Sequence, residues 1–207
     1  MKQSDLNPCP HPLLLVISGP SGVGKDFVLN AVKNRPAAER LAPIITNTTR
    51  PMRPGETQDA DYHFVSLAEF QAMIATGGLL EYANVYGNWY GVPKAPVRQA
   101  LAAGWDAVIK VDVQGARSIK QAAPEAVLVF ISPPSIDELA QRLKKRNTES
   151  PEQLERRLKT AETEMMEMPR FDYVIVNYSG QVERVIAGLE AIITAEKLRV
   201  NPRECRL

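Results

Sequence analysis

Little in this sequence points to cross-linking, structural metal or a membrane. Its 207 residues contain only two cysteines, Cys9 and Cys205, both in polar terminal segments and without metal-ligand spacing, so neither a disulfide framework nor a zinc site is expected. Charge of one sign is also missing: 25 Lys and Arg against 24 Asp and Glu leave a net charge of +1. No overall field therefore drives binding to nucleic acid or anionic membranes, and any anion site must be local. Long apolar runs are absent as well. The longest, residues 13–17 and 126–131, are far too short to span a bilayer and read as buried strands. Residues 1–12 hold one Lys and no apolar stretch, which predicts a soluble, cytoplasmic protein without a secretory leader.

What is present is the composition of a packed globular chain, with 44% hydrophobic and 24% charged residues. The length fits one domain, or one domain carrying an insertion. Val- and Ile-rich runs at 13–18, 107–112, 126–132 and 173–177 are each followed by helix-period sequence, an alternation that predicts a parallel sheet covered by helices. Ser66, Ser135 and Ser150 each stand three residues before Glu69, Glu138 and Gln153, the reciprocal capping arrangement of a helix start, and Pro151 suits a first helical turn. From Leu154, the positions Leu158, Ala161, Met165 and Met168 form one apolar stripe on a charged helix that Pro169 should end. Residues 181–198 repeat the amphipathic pattern and should close the sheet. Residues 46–93, rich in Arg, Tyr, Gly and Asn with one short helix near 66–76, read as an inserted subdomain that brings binding residues over the strand ends. The terminal segments 1–12 and 201–207 are expected to be loosely held.

Gly19-Pro20-Ser21-Gly22-Val23-Gly24-Lys25 fills the G-x-x-x-x-G-K pattern between a buried strand and a helix. In such a loop successive backbone amides point at one phosphate group, the helix N-terminus adds its positive end, and the lysine supplies a cation for the phosphoryl group in transit. Asp26 stands where a Ser or Thr hydroxyl normally meets magnesium. A carboxylate about 4 Å from a phosphate charge is repelled by roughly 4 kcal/mol at an effective dielectric near 20 unless a cation lies between. Two roles are open: direct ligation of magnesium, or a carboxylate that faces away and favours the helix N-terminus.

Arg50 and Arg53 lie three apart on a segment stiffened by Pro51 and Pro54, and paired guanidinium forks suit a second phosphate. Tyr62 could add a hydroxyl donor. With these pieces come Glu56, Asp61-Tyr62-His63-Phe64-Val65, Leu80-Glu81-Tyr82-Ala83, Gly87-Asn88-Trp89-Tyr90-Gly91, Asp112-Val113-Gln114-Gly115, Pro133-Pro134-Ser135, Arg146-Asn147-Thr148-Glu149 and Val174-Ile175-Val176-Asn177. In this order and spacing they resemble the guanylate kinase family across nearly the whole chain from residue 13 to about 198.

The resemblance implies an α/β P-loop kinase with a central parallel sheet flanked by helices, a nucleoside-monophosphate-binding subdomain and a helical lid. The implied division is a tail at 1–12, a domain at 13–198 and a tail at 199–207. Within the domain the core would comprise 13–45, 94–138 and 170–198, the GMP-binding subdomain 46–93, and the lid 139–169. It implies an enzyme of purine nucleotide metabolism that transfers the ATP γ-phosphoryl group to GMP with Mg2+, as a monomer or small homo-oligomer. ATP would lie on the loop Gly19 to Lys25, with Pro20, Ser21, Gly22, Val23, Gly24, Asp26 and Asn177. By the same resemblance Arg50, Arg53, Tyr62 and Tyr90 would hold the GMP phosphate, and Thr46 and Glu81 the guanine. Lys25 with Arg142, Arg146 and Arg157 would carry the catalysis. Chemistry supports Glu81 separately: guanine offers two adjacent donors, N1–H and the 2-amino group, that one carboxylate accepts together, and adenine does not. A buried acceptor of this kind should reject the wrong base by roughly 10⁴-fold.

Lys110 and Asp112, two apart on an expected strand, should share a face and a site. The resemblance makes Asp112 a substrate contact or a ligand of magnesium through water. Lys110 replaces an acidic residue common in the family and could pair with Asp112 or meet a phosphate. Arg142 and Arg146 are one helical turn apart; without the resemblance, they and Lys144 and Lys145 read as a solvated basic face. Phosphoryl transfer needs positioning and charge neutralisation more than a nucleophilic side chain, so no general base is assigned, His11 and His63 included. Val92 stands where the family usually has a guanine-contacting hydroxyl. Lys25-Asp26 with Tyr90-Gly91-Val92 also look like the ribose 1,5-bisphosphate phosphokinases, which makes a sugar-phosphate kinase the alternative. A non-catalytic guanylate-kinase-like binding module is a weaker one, since Lys25, Asp112, Arg142 and Arg146 argue against it.

Overall fold

The computed structural model describes residues 11–33, 40–85, 87–145, 151–205 and 207. Its centre is β1 (Leu14–Ser18), buried throughout. A strand buried on both faces reads as a continuous apolar run, as this one does. β1 lies in a five-stranded parallel sheet with β2 (Leu41–Pro43), β7 (Asp106–Lys110), β8 (Val127–Ser132) and β9 (Tyr173–Val176), in the order β2-β7-β1-β8-β9. Leu13, Leu15 and Ile17 face a cluster with Val28 and Leu29 of α1 (Lys25–Lys33) and Val185, Ile186, Leu189 and Ile192 of α7 (Val182–Lys197). Leu14 and Val16 point the other way, toward Val97 of α3 (Lys94–Ala102) and Ala116 and Ile119 of α4 (Val113–Ala122). The alternation is the period of two imposed by the pleat, and each fully buried Leu, Val or Ile stabilises the fold by about 1.5–3 kcal/mol.

Between β2 and α3 the chain builds a second sheet. β3 (Asn47–Thr48), β4 (His63–Phe64), β5 (Leu79–Val85) and β6 (Asn88–Pro93) are arranged β4-β3-β6-β5. One helix, α2 (Leu67–Ala75), accompanies it, and its capping box is complete: the Glu69 amide donates to Ser66 Oγ and the Ser66 amide to Glu69 Oε2. The expected insertion is therefore mostly sheet.

A helical pair, α5 (Ile136–Lys145) and α6 (Pro151–Met165), packs through Leu139, Leu143 and Ala161, with Leu154 and Leu158 beside them. At Ser135 only half of the capping box forms. Its hydroxyl accepts from the Glu138 amide, while the Glu138 carboxylate is taken by Arg142 and Ser179. Ser150 lies outside the described residues.

Three expectations change. α6 ends at Met165, and Pro169 sits inside a following 3-10 turn, Met168–Arg170. Asp112 is not on a strand: β7 stops at Lys110, and Asp112 caps α4 by accepting from the Gly115 amide at 2.8 Å. The C-terminal segment is held, because Arg203 pairs with Glu196 and Asp172 while Cys205 and Leu207 pack on the core. Among the described residues no helix is long and apolar enough to cross a membrane.

Candidate active site

The loop leaves the C-terminal end of β1 where the next two strands of the sheet, β7 and β8, lie on opposite sides of it, the place where open α/β sheets bind ligands. Gly19 has φ 138°, and a Cβ there would lie 2.1 Å from the Ile131 carbonyl oxygen. Only glycine fits so close to β8. Lys25 Nζ donates to the carbonyls of Gly19 at 2.6 Å and Pro20 at 3.1 Å, curling back over the loop. Burial lowers its pKa against the opposing pull of Glu164, Asp26 and Asp112.

Behind the loop stand two residues expected at the nucleotide. Asn177 Nδ2 donates to the Val23 carbonyl at 2.8 Å. The Arg142 guanidinium donates to Glu138 Oε1 and the Asn177 carbonyl, each at 2.6 Å, and to Ser179 Oγ at 3.1 Å. Both brace the loop through protein contacts. Arg157 reaches it from α6, donating to Ser21 Oγ at 2.8 Å. Arg146 lies outside the described residues.

Sequence reasoning missed Glu164, whose Oε2 accepts from the Ser21 amide at 3.0 Å. Burial raises its pKa, partly offset by that amide and by Lys25. Its signal was spacing: seven residues, or two helical turns, place it on the Arg157 face of α6.

A cleft runs from the loop to the second sheet, with Lys25, Asp26, Lys110 and Asp112 toward the loop and Thr46, Tyr62, Glu81 and Tyr90 among its other walls. Glu81 projects from β5 and is only 8% exposed. Burial, reinforced by the negative charge of Asp112, pushes its pKa to about 7. Gly115 makes room for it, since a Cβ there would lie 3.1 Å from the Glu81 carboxyl. Thr46 is buried and Val92 is fully buried, both in the cleft wall.

Arg50 forms a fork with Glu56 at 3.0 and 2.8 Å and also donates to the Pro51 carbonyl. Its guanidinium lies 5.5 Å from the centre of the Tyr62 ring, and Tyr62 meets Tyr90 edge-on at 6.1 Å. Bonding to Glu56 raises the Arg50 pKa despite partial burial, with the Tyr90 hydroxyl adding to the effect. The Arg53 backbone amide donates to Glu56 Oε2, and Arg53 itself is exposed.

Lys110 does not pair with Asp112, the protein partner expected for it. Its ammonium pairs with Asp26 and lies 5.0 Å from the Tyr62 ring centre. Among the described residues no three metal-ligating side chains cluster.

Comparison with known proteins gives a consistent result. The family model described as guanylate kinase matches residues 12–196. The guanylate kinase of Gloeobacter violaceus is 48% identical over 193 residues, covering 92% of this chain and 91% of that protein. That of Thermus thermophilus is 46% identical over 186 residues, covering 90% and 82%. Among solved structures, the guanylate kinase of Anaplasma phagocytophilum superimposes with a TM-score of 0.76 at 32% identity, over 92% of this chain and 89% of that one.

Proposed function

The chain belongs to the guanylate kinase family, and from that premise we infer that it is an ATP-dependent enzyme transferring the γ-phosphoryl group of ATP to GMP, with ADP and GDP as products. The observation that carries this reading is Glu81, a buried carboxylate in the same cleft as Lys25 and Tyr62. A carboxylate enclosed this way needs paired donors, and guanine brings two.

In this reading residues 46–93 form the GMP-binding subdomain. Glu81 and Thr46 hold the guanine, while Arg50, Arg53, Tyr62 and Tyr90 hold its phosphate. The triphosphate lies along the amides of Gly19 to Gly24 with Lys25 on its end. An oxygen of the GMP phosphate attacks the γ-phosphorus as the bond to the β,γ-bridging oxygen breaks, and ADP leaves with that oxygen's electron pair. Lys25 steadies the charge moving between the two, and Arg157, with Arg142 and Arg146 of the lid at 139–169, encloses it and excludes water. Asp112 would hold magnesium through water, and the ion when bound would supply further charge neutralisation. The core comprises 13–45, 94–138 and 170–198. A cytoplasmic setting fits the free thiol of Cys205, and a monomer or small homo-oligomer fits a cleft built within one chain.

The test offers ATP and magnesium with GMP, dGMP, AMP or ribose 1,5-bisphosphate and follows ADP release. GMP should be the preferred acceptor, with kcat/KM for AMP lower by roughly 10⁴-fold. Faster turnover of ribose 1,5-bisphosphate would move the assignment to the sugar-phosphate kinases.

A further inference from the structure

The Asp26–Lys110 pair joins residues 84 apart in sequence. Parallel register sets its position: Lys110 lies beside Ile17, so it emerges at the same end of the sheet as the phosphate loop. The lysine is the enclosed member, with its side chain 16% exposed against 74% for Asp26. An enclosed ammonium needs a counter-charge, and Asp26 at the head of α1 provides it. A lysine has three donors to distribute. The carboxylate takes one on the loop side. Tyr62 is another neighbour, its ring centre 5.0 Å from the ammonium. Lys110 thus stands between the loop and the aromatic pair Tyr62–Tyr90, in the wall of the one cleft that holds Glu81.

We propose that Lys110 is a further phosphate-binding residue of the acceptor site and that Asp26 is the positioning residue that aims it there. This rests on the reading that the acceptor's phosphate lies at Tyr62 and Tyr90. Charge bookkeeping agrees, because a carboxylate in place of a loop hydroxyl adds one negative charge near the phosphates and Lys110 restores the balance. The pair therefore behaves as a unit, and either residue alone leaves the site with an uncompensated charge.

The experiment is calorimetric titration of the full-length protein, free of ATP and metal, with GMP and with guanosine, which lacks the phosphate. Lys110→Gln should weaken GMP binding about tenfold or more, as expected for loss of a charge-assisted hydrogen bond, and leave guanosine binding unchanged. Asp26→Asn should weaken GMP binding less, and should weaken it no further in the Lys110→Gln background, where it instead removes the uncompensated carboxylate. Lys110→Met, which keeps the aliphatic stem, repeats the test if the glutamine variant melts early. Wild-type GMP affinity in both Lys110 variants, with the parent still preferring GMP to guanosine, overturns the proposal and leaves the acceptor assignment standing. A parent protein that binds GMP no better than guanosine overturns the acceptor assignment itself. Additive effects of the Asp26 and Lys110 changes would overturn the positioning role of Asp26.

Discussion

Glu81 sets both a benefit and a cost at one position. Guanine donors need the ionised carboxylate, yet burial and the charge of Asp112 raise its pKa to about 7. Guanosine should therefore bind more tightly as pH rises from 6 to 8 and level off above, with about a tenfold loss for each unit below the pKa. Guanosine is the better probe because the GMP phosphate titrates in the same range. The sign for folding is the reverse. The folded form keeps a proton that the unfolded chain releases between its ordinary value of 4.5 and about 7, so this residue's contribution to stability declines as pH rises through that window. Glu81→Gln should make the protein more resistant to urea than the parent at pH 8, by about 3 kcal/mol, with little difference near pH 4. The same substitution should erase the preference for GMP over AMP. A variant that is no more stable at pH 8 would show that the carboxylate is better solvated than its burial implies.

At the scale of elements, Ser66 offers the cleanest test. Its capping box anchors α2 beside the second sheet, and Ser66→Ala should cost about 1 kcal/mol in chemical unfolding. β1 and β8 were legible as apolar runs, and β7 as the short apolar stretch 107–109, because strands covered on both faces carry no alternation to disguise them. β3 and β4 were not legible. Each is two residues long, too short for any periodicity, and forms only because neighbouring strands supply its partners. Asp112 shows a subtler failure, since extending the strand by two residues gave the right neighbourhood and the wrong element. The candidate site was read chiefly from its loop, its arginines and Glu81, all local signals or family motifs. The Asp26–Lys110 contact has no local trace, because only the sheet order brings α1 and the end of β7 together. Asn177 and Arg142 were recognised as residues near the nucleotide loop, but which of their groups would be consumed in bracing it depends on packing that no motif encodes.

Across the whole molecule the two ends of the parallel sheet divide the labour. Charges at the C-terminal ends of the strands line the cleft, whereas those at the opposite end are tied to one another. Asp106, 1% exposed, accepts from the Leu13 amide and pairs with Lys197 at 2.7 Å. Asp172 accepts from the Leu128 amide and pairs with Lys120 and Arg203. Glu196, with its side chain fully enclosed, accepts from the Tyr173 hydroxyl at 2.7 Å and from Arg203 Nε at 3.0 Å. This latch fastens α7 and the C-terminal segment to β9, so Arg203→Ala leaves a buried carboxylate whose remaining partners among the described residues are Tyr173 and the more distant Arg199 at 3.6 Å. The expected loss is about 3 kcal/mol of stability, read from urea unfolding. Because the latch lies at the end of the sheet away from the cleft, kcat/KM for GMP measured well below the melting temperature should be unchanged. Adding Glu196→Gln to Arg203→Ala removes the stranded charge while keeping an acceptor for Tyr173, and should restore much of the stability. If it restores none, the cost of losing Arg203 comes from its packing against the core and not from the charge left behind.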